Sequence, residues 1–191
     1  MNLCNGFLIQ FNSYNFHKSN FIEKQRYGPI IHWLNNNIIE KGEIFTNFEI
    51  SDLISAYTSL NALHSCFAGN YLVSDKYLEE VLFLEYRLDG LDDKQASETF
   101  FKDRKKISSY IYGMYYREKF GDYGKIPDRR INHLVNQYNR FLSLSLPYIF
   151  TKYQIKYIIW DTVKQPNWKL NRYPFLSEIY QKNGIKIYRV K

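Results

Sequence analysis

The sequence contains no apolar run long enough to cross a bilayer. A membrane helix needs roughly 20 consecutive apolar residues, and no stretch of the 191 residues approaches that length. The opening segment, Met1 to Phe11, lacks the basic region and the small-residue cleavage site of a signal peptide. We therefore expect that the chain as written does not direct itself to a membrane.

Cysteine is scarce, and the spacing of the two cysteines, Cys4 and Cys66, fits neither a metal site nor a redox motif. We expect free thiols and not a disulfide. Two such residues do not fix the redox compartment of the protein.

Catalytic signatures are also absent. The sequence has no G-x-S-x-G, no H-E-x-x-H and no Walker A motif. None of the four histidines has a second His or Cys at ligand spacing, so structural or surface roles are favoured for His17, His32, His64 and His133. The sequence therefore predicts no catalytic residue, no metal and no cofactor.

Apolar and aromatic residues are plentiful by contrast. They make up 45% and 18% of the chain, which excludes a disordered protein. The length allows one domain with a sizeable core. We predict an irregular arm over residues 1–26 and a single α/β domain over residues 27–191.

The formal net charge of +7 is concentrated near the end of the chain. From Lys156 to Lys191 there are eight Lys or Arg against two acids, Asp161 and Glu178. Such a basic face suits phosphates or anionic lipid head groups. A simpler explanation of the positive charge is that Lys, like Asn, Ile and Tyr, is abundant throughout the chain, as is typical of an AT-rich genome.

The last third has the clearest local patterns. Ile155–Asp161 is β-branched and aromatic and predicts a buried strand, and Ile185–Val190 predicts a closing strand after an Asn183-Gly184 turn. The segment Tyr173–Tyr180 is predicted as a short helix between them.

Helix and strand signals also occur upstream. Pro29 is expected to open a helix and Glu43–Asn47 to form a short strand, with a small strand near Ala62 to His64. Further helices are predicted at the capping signals Ser51-Asp52, Ser74-Asp75, Asp92-Asp93 and Pro127-Asp128. The helix from Asp92 is expected to run toward Gly121, with or without a break near Gly113, and the helix from Pro127 to end or bend at Pro147. The predicted class is α/β, with a small mixed sheet of about three to four strands, several packing helices and a helix-rich insertion in the middle.

Two groups of residues suggest a site. Asp161 lies at the carboxyl end of a strand, where ligands of open α/β sheets gather, and the loop that ends at Trp168 and Lys169 is aromatic and basic, which suits a sugar or a phosphate. The second group, Glu79, Glu80 and Glu85 with Arg87, has the residue types for acid/base work, but a solvated helix face explains it more simply.

The order of features resembles a known domain. The segments that carry the resemblance are Gln25–Leu34, Gly42–Asn47, Ile50–Thr58, Ile155–Asp161 and Ile179–Arg189. Together they are similar to the soluble C-terminal domain of bacterial multi-span membrane proteins of the GT-C glycosyltransferase type.

The resemblance implies a location outside the cytoplasmic membrane and an accessory role. The family's catalytic acids lie in its membrane part, so no catalytic residue carries over, and any reaction would be that of a GT-C-type glycosyltransferase. The implied partners are a polytopic membrane portion of the same protein and a glycan or lipid-linked sugar. The implied substrate-binding residues, expected on one rim of the sheet, are Tyr57, Thr58, Asp161, Trp168 and Lys169.

Two other functions remain open. The less favoured alternative is a small basic nucleic-acid-binding protein, which would be cytoplasmic and would bind with a steep salt dependence. A standalone enzyme built around Asp161 at the carboxyl edge of the sheet is the third, and a filled edge would count against it.

Overall fold

The computed structural model describes residues 24–38, 40, 42–64, 73–113 and 126–191. Contacts divide the chain into two units, Met1–Glu40 and Lys41–Lys191, whereas the sequence predicted one domain from residue 27 onward. Most of the predicted arm, both cysteines, His17 and the predicted helix end at Gly121 lie outside the described residues.

In the first unit, helix α1 spans Gly28–Asn37 and has Pro29 in its first turn, as predicted. Proline suits this position because its missing N–H would have no intrahelical partner there. Ile30 and Leu34, one turn apart, are the buried residues of the helix.

The second unit is built on one mixed sheet. Its strands are β1 (Glu43–Phe45), β2 (Asn61–Ala62), β3 (Ile155–Asp161), β4 (Leu176–Lys182) and β5 (Ile185–Val190). The spatial order is β2-β1-β3-β5-β4. β1 runs parallel to both β2 and β3, and β5 is antiparallel to both β3 and β4. The predicted α/β class is confirmed, with five strands where three to four were expected.

The end of the chain is a β-hairpin, and the predicted helix at Tyr173–Tyr180 is wrong. Asn183 and Gly184 both have positive φ, 49° and 76°, which is the backbone of a two-residue hairpin loop. The loop turns β5 back along β4, so the residues from Leu176 onward form ladder hydrogen bonds and not helical ones. The predicted turn and the predicted strand Ile185–Val190 are confirmed.

Six helices of the second unit are described. They are α2 (Phe48–Tyr57), α3 (Asp75–Leu88), α4 (Asp93–Lys102), α5 (Arg104–Tyr112), α6 (Asp128–Leu142) and α7 (Leu146–Lys152). Ser74 caps α3 as predicted, its hydroxyl accepting from the Tyr77 N–H. The cap of α2 is Asn47 and not Ser51-Asp52, because the Asn47 side chain accepts from the Ile50 N–H and Ser51 lies inside the helix.

Two predicted helix boundaries differ from the structure. The helix from Asp92 breaks at Asp103, which ends α4 and precedes α5. Pro147 neither ends nor bends α6, which stops at Leu142; it lies in the first turn of α7.

The helical insertion has an aromatic core. Phe83 of α3 contacts Phe100 of α4 and Tyr138 of α6, with ring centroids 6.0 and 5.5 Å away. Burial of such rings is the main stabilising contribution at these contacts. Within the described residues, no helix combines the length and apolar character that crossing a membrane requires.

Candidate functional site

Asp161 is a structural cap at the end of β3. Its side chain is fully buried. Its Oδ1 atom accepts hydrogen bonds from the backbone N–H groups of Val163 and Lys164, at 3.0 and 3.3 Å. The carboxylate therefore holds the loop that leaves the strand, which is the usual local role of such an Asp.

Side chains fill the sheet edge next to Asp161. Trp168 is 1% exposed and stacks on Phe45, with ring centroids 5.7 Å apart. The Asn47 amide donates to Gln165 Oε1 at 3.0 Å and joins the β1 and β3 ends. Lys169 is exposed beside Trp168. This part of the edge is packed, which counts against an enzyme site at Asp161.

Tyr57 and Thr58 lie at the opposite edge of the sheet. Helix α2 begins after the carboxyl end of β1 and returns the chain to the start of β2, which runs parallel to β1. Tyr57 is its last residue and is 64% exposed, and the Thr58 hydroxyl donates to the Ile54 carbonyl oxygen at 2.8 Å. The structure therefore does not bring Tyr57 and Thr58 together with Asp161, and a ligand contact at any of these positions stays a prediction.

A group of polar residues lies instead at the carboxyl ends of β1 and β2. Thr46 follows β1 and His64 follows β2, and both are fully buried. His64 Nδ1 is 3.2 Å from the Thr46 carbonyl oxygen. A carbonyl only accepts, so the imidazole proton is assigned to Nδ1, and Nε2 of the neutral ring is left as an acceptor.

Glu85 of α3 faces that acceptor. Its Oε2 is 3.6 Å from His64 Nε2, and its Oε1 is 3.4 Å from the Lys106 ammonium of α5. Burial raises the pKa of Glu85 and lowers the pKa of His64 to about 3, because both charged forms lose solvation. His64 is therefore neutral at physiological pH.

Several buried polar atoms around this pair lack a hydrogen-bond partner in the described part of the chain. They are Thr46 Oγ1, His64 Nε2, Glu85 Oε2 and Tyr110 OH. More than nine in ten buried polar groups in proteins have a partner. Buried polar atoms without a hydrogen-bond partner are thus concentrated at the carboxyl ends of the parallel strands.

A pocket of about 190 Å³ adjoins these atoms. It is lined by Phe48, Lys106, Ser109 and Tyr110. The rings of Phe48 and Tyr110 contact His64, with centroids 4.0 and 5.1 Å away, and Lys106 contacts Glu85. His64 and Glu85 contact the lining residues but do not themselves line the pocket. We call the five residues Phe48, His64, Glu85, Lys106 and Tyr110 the His64 pocket.

The acidic side of α3 is not the solvated face that the sequence suggested. Glu79 pairs with Arg130, and Glu80 accepts from Lys152 and Tyr153. Arg87 donates to the Leu144 carbonyl oxygen at 2.7 Å. These residues tie α3 to α6, α7 and the turn between them.

A wider cleft of about 580 Å³ lies between α3 and α6. Its best-buried charges, Glu79 and Glu80, are already paired, with Arg130 and Lys152 respectively. The cleft therefore offers a ligand fewer unmet hydrogen bonds than the His64 pocket.

Two sequence signals indicate the residues of the His64 pocket. His64 is the last residue of a predicted strand and therefore lies where α/β ligand sites gather. Glu85 falls at helical spacing between the apolar residues Leu82 and Leu88, so its side chain shares their inward face. In the described ranges, no three acids, histidines or cysteines are grouped so as to hold a metal ion.

Comparison with known proteins adds no family to these observations. No family model matches the chain. Neither a curated protein nor a solved structure matches it.

Proposed function

We propose that this chain is an accessory α/β domain of, or derived from, a GT-C-type multi-span membrane glycosyltransferase-like protein. In this proposal it lies outside the cytoplasmic membrane and positions a lipid-linked sugar or the acceptor, without catalysing transfer. The resemblance supports it, because four of its segments coincide with α1, β1, α2 and β3. Its last segment departs from the expected pattern, since β4 stands where a helix was predicted before the closing strand.

The His64 pocket is the observation that carries the binding role. Two buried acceptors, His64 Nε2 and Glu85 Oε2, lie beside the rings of Phe48 and Tyr110 and the ammonium of Lys106. Sugar hydroxyl groups donate to such acceptors, and apolar sugar faces pack on aromatic rings. A small concave site with a few placed polar groups is the usual form of a ligand pocket.

The same residues support binding and not catalysis. A histidine whose pKa is lowered to about 3 is a weak base at neutral pH. Asp161, the acid expected at the carboxyl edge, already accepts two backbone hydrogen bonds.

The nucleic-acid alternative is weakened by pairing in the basic closing segment. Lys164 lies 3.3 Å from Glu49 and Lys186 lies 2.8 Å from Glu178. Lys191 donates to the Pro174 carbonyl oxygen. These contacts reduce the charge and the donors that remain for phosphates.

Calorimetric titration of the purified chain with methyl glycosides and glycosyl 1-phosphates tests the binding role. Lys106→Met should weaken binding about fivefold or more through the loss of one hydrogen bond of about 1 kcal/mol. Lys105→Met, the same charge change on the neighbouring exposed residue, is the matched control and should bind as the wild type does. Equal binding by both variants, or binding of a single-stranded oligonucleotide but of no sugar, would contradict the proposal.

The genomic sequence upstream of Met1 tests whether the chain is part of a multi-span membrane glycosyltransferase-like protein. The proposal expects about ten in-frame apolar stretches of roughly 20 residues each. A separate start site with its own ribosome-binding sequence and no membrane gene beside it would count against it.

A further inference from the structure

The cleft of about 580 Å³ between α3 and α6 has two walls of different chemistry. The α3 wall carries the carboxylates of Glu79 and Glu80, and the α6 wall carries the nitrogen donors of Arg130, Gln137 and Arg140. Sites for small molecules have volumes of about 300–1,000 Å³ and a few placed polar groups. The cleft therefore has the size and the mixture of donors and acceptors that a polar ligand requires.

The two ends of the cleft also differ, because α3 and α6 run side by side in the same direction. Glu79 pairs with Arg130 near the start of α6. Phe83, one turn further along α3, contacts Phe141 near the end of α6, with ring centroids 5.7 Å apart. Arg140 lies about 15 Å beyond Arg130 along the helix axis. Arg140 is therefore at the apolar end of the cleft, away from the ion pair.

The buried acids of the cleft are already matched by cations. Glu79 Oε1 accepts from Arg130, and Glu80 Oε2 accepts from Lys152. This pairing offsets the repulsion that the two carboxylates would otherwise exert on an anion. Each carboxylate uses one oxygen in its ion pair, so its other oxygen can accept from a hydroxyl group of a ligand.

Arg140 is the arginine of the α6 wall that lacks such a partner. Its side chain is exposed and makes no ion pair or hydrogen bond with any other described residue. The lining carboxylate of Asp75 belongs to the first turn of α3, at the other end of the cleft. A guanidinium group binds phosphate oxygens through two parallel N–H donors. The apolar end of the cleft therefore suits a phosphate group.

The rings beside Arg140 do not suit a nucleotide. Phe83 and Phe141 are 2% and 4% exposed, so neither presents an open ring face. A nucleobase binds aromatic side chains by stacking on such a face. Hydroxyl groups, in contrast, match the carboxylate oxygens of the α3 wall.

We propose that the cleft between α3 and α6 binds a sugar phosphate, with the phosphate on Arg140 and the hydroxyl groups on Glu79 and Glu80. This is a second site, separate from the His64 pocket, and it goes beyond the proposed function.

Calorimetric titration of the wild-type chain at neutral pH and low salt compares glucose 6-phosphate with its two parts. Ethyl phosphate keeps the charge without the sugar hydroxyls, and methyl glucoside keeps the hydroxyls without the charge. We expect each part to bind at least about tenfold more weakly than glucose 6-phosphate, because each lacks one set of charge-assisted hydrogen bonds.

Four results of this titration overturn the inference. The first is absent binding of glucose 6-phosphate. Ethyl phosphate that binds as tightly as glucose 6-phosphate would indicate a site for anions only, and methyl glucoside that binds as tightly would indicate that the phosphate is not recognised. Adenosine monophosphate that binds more tightly than glucose 6-phosphate would indicate a nucleotide site.

Arg140→Met tests the position of the phosphate. The variant should bind glucose 6-phosphate about tenfold more weakly and methyl glucoside as the wild type does. Arg129→Met is the matched control, because Arg129 is exposed on the same helix but lines a neighbouring cavity. Equal affinity of Arg140→Met and the wild type for glucose 6-phosphate overturns the inference. The comparison of ligands uses the wild type alone, so it decides the matter even where a variant fails to fold.

Lys106→Met separates this inference from the proposed function. If Lys106→Met weakens glucose 6-phosphate and Arg140→Met does not, the ligand occupies the His64 pocket, which overturns this inference and leaves the proposed function standing. If Arg140→Met weakens glucose 6-phosphate and Lys106→Met changes no glycoside affinity, this inference stands and the proposed binding role of the His64 pocket fails.

Discussion

Burial of His64 makes the protein sensitive to acid, and His64→Asn isolates that effect. The ring is fully buried, with one hydrogen bond from Nδ1–H to the Thr46 carbonyl oxygen. The Asn side chain places an amide N–H₂ close to the position of Nδ1 and does not titrate. The variant therefore retains a donor for Thr46 and loses the proton-binding group.

The lowered pKa of His64 sets the direction in which the free energy of unfolding changes with pH. Burial lowers the pKa of His64 from 6.5 to about 3, so the unfolded chain binds a proton between these values and the folded chain does not. The contribution to the free energy of unfolding is present above the unfolded pKa and falls as the pH falls through this window. At about pH 4.5 the loss is roughly 2 pKa units, or about 3 kcal/mol.

Carboxylates in the same region act in the opposite direction. Burial raises the pKa of Asp89 to about 6, so the folded chain holds its proton more tightly and acid favours the fold at this position. The net pH dependence of the wild type is therefore smaller than the His64 contribution. The comparison with His64→Asn removes most of this offset, since Asp89 is present in both proteins.

The assay is urea unfolding followed by tryptophan fluorescence at about pH 7 and about pH 4.5. On acidification the wild type should lose about 3 kcal/mol more than His64→Asn. His133→Asn, a substitution of an exposed ring on α6, is the control and should follow the wild type. Equal losses in wild type and His64→Asn would refute the account of His64 as a buried neutral histidine.

Three further predictions concern single positions. Tyr110→Phe removes a buried hydroxyl without a hydrogen-bond partner among the described residues, so it should raise the free energy of unfolding by about 1 kcal/mol while weakening glycoside binding; a loss of stability would contradict this. Gly184→Ala should destabilise the hairpin by about 1–2 kcal/mol in urea, because φ is +76° there and an added Cβ would lie 3.2 Å from Thr162 Oγ1; an unchanged urea midpoint would count against it. Arg130→Met should cost about 3 kcal/mol by leaving Glu79 buried and unpaired, and adding Glu79→Leu should restore part of the loss; additive losses in this double-mutant cycle would argue against a coupled pair.

Local sequence patterns predicted those elements that a short stretch of the sequence specifies by itself. β3 and β5 have the predicted bounds because each is a β-branched and aromatic run next to turn residues. The cap of α3 at Ser74 is equally local. The predicted helix at Tyr173–Tyr180 failed because β4 depends on its pairing with β5, which overrides weak local preferences.

The candidate site depends on contacts that the sequence does not display. His64 and Glu85 come from different elements and meet only when α3 lies against the carboxyl ends of β1 and β2. The candidate pocket lies at the carboxyl edge of the sheet, where the sequence also predicted a site, but Asp161 is committed to backbone N–H groups and Trp168 to the core. Which polar atoms lack a hydrogen-bond partner depends on burial, and burial is a property of the whole fold.

Nitrogen-15 NMR of the imidazole rings during titration with methyl glycosides tests whether His64 presents an acceptor to a sugar hydroxyl. We expect a neutral His64 ring with its proton on Nδ1, and a shift of the Nε2 resonance on ligand addition while His133 stays unchanged. A His64 ring protonated on Nε2, or an Nε2 resonance that does not move while the glycoside binds, would contradict it.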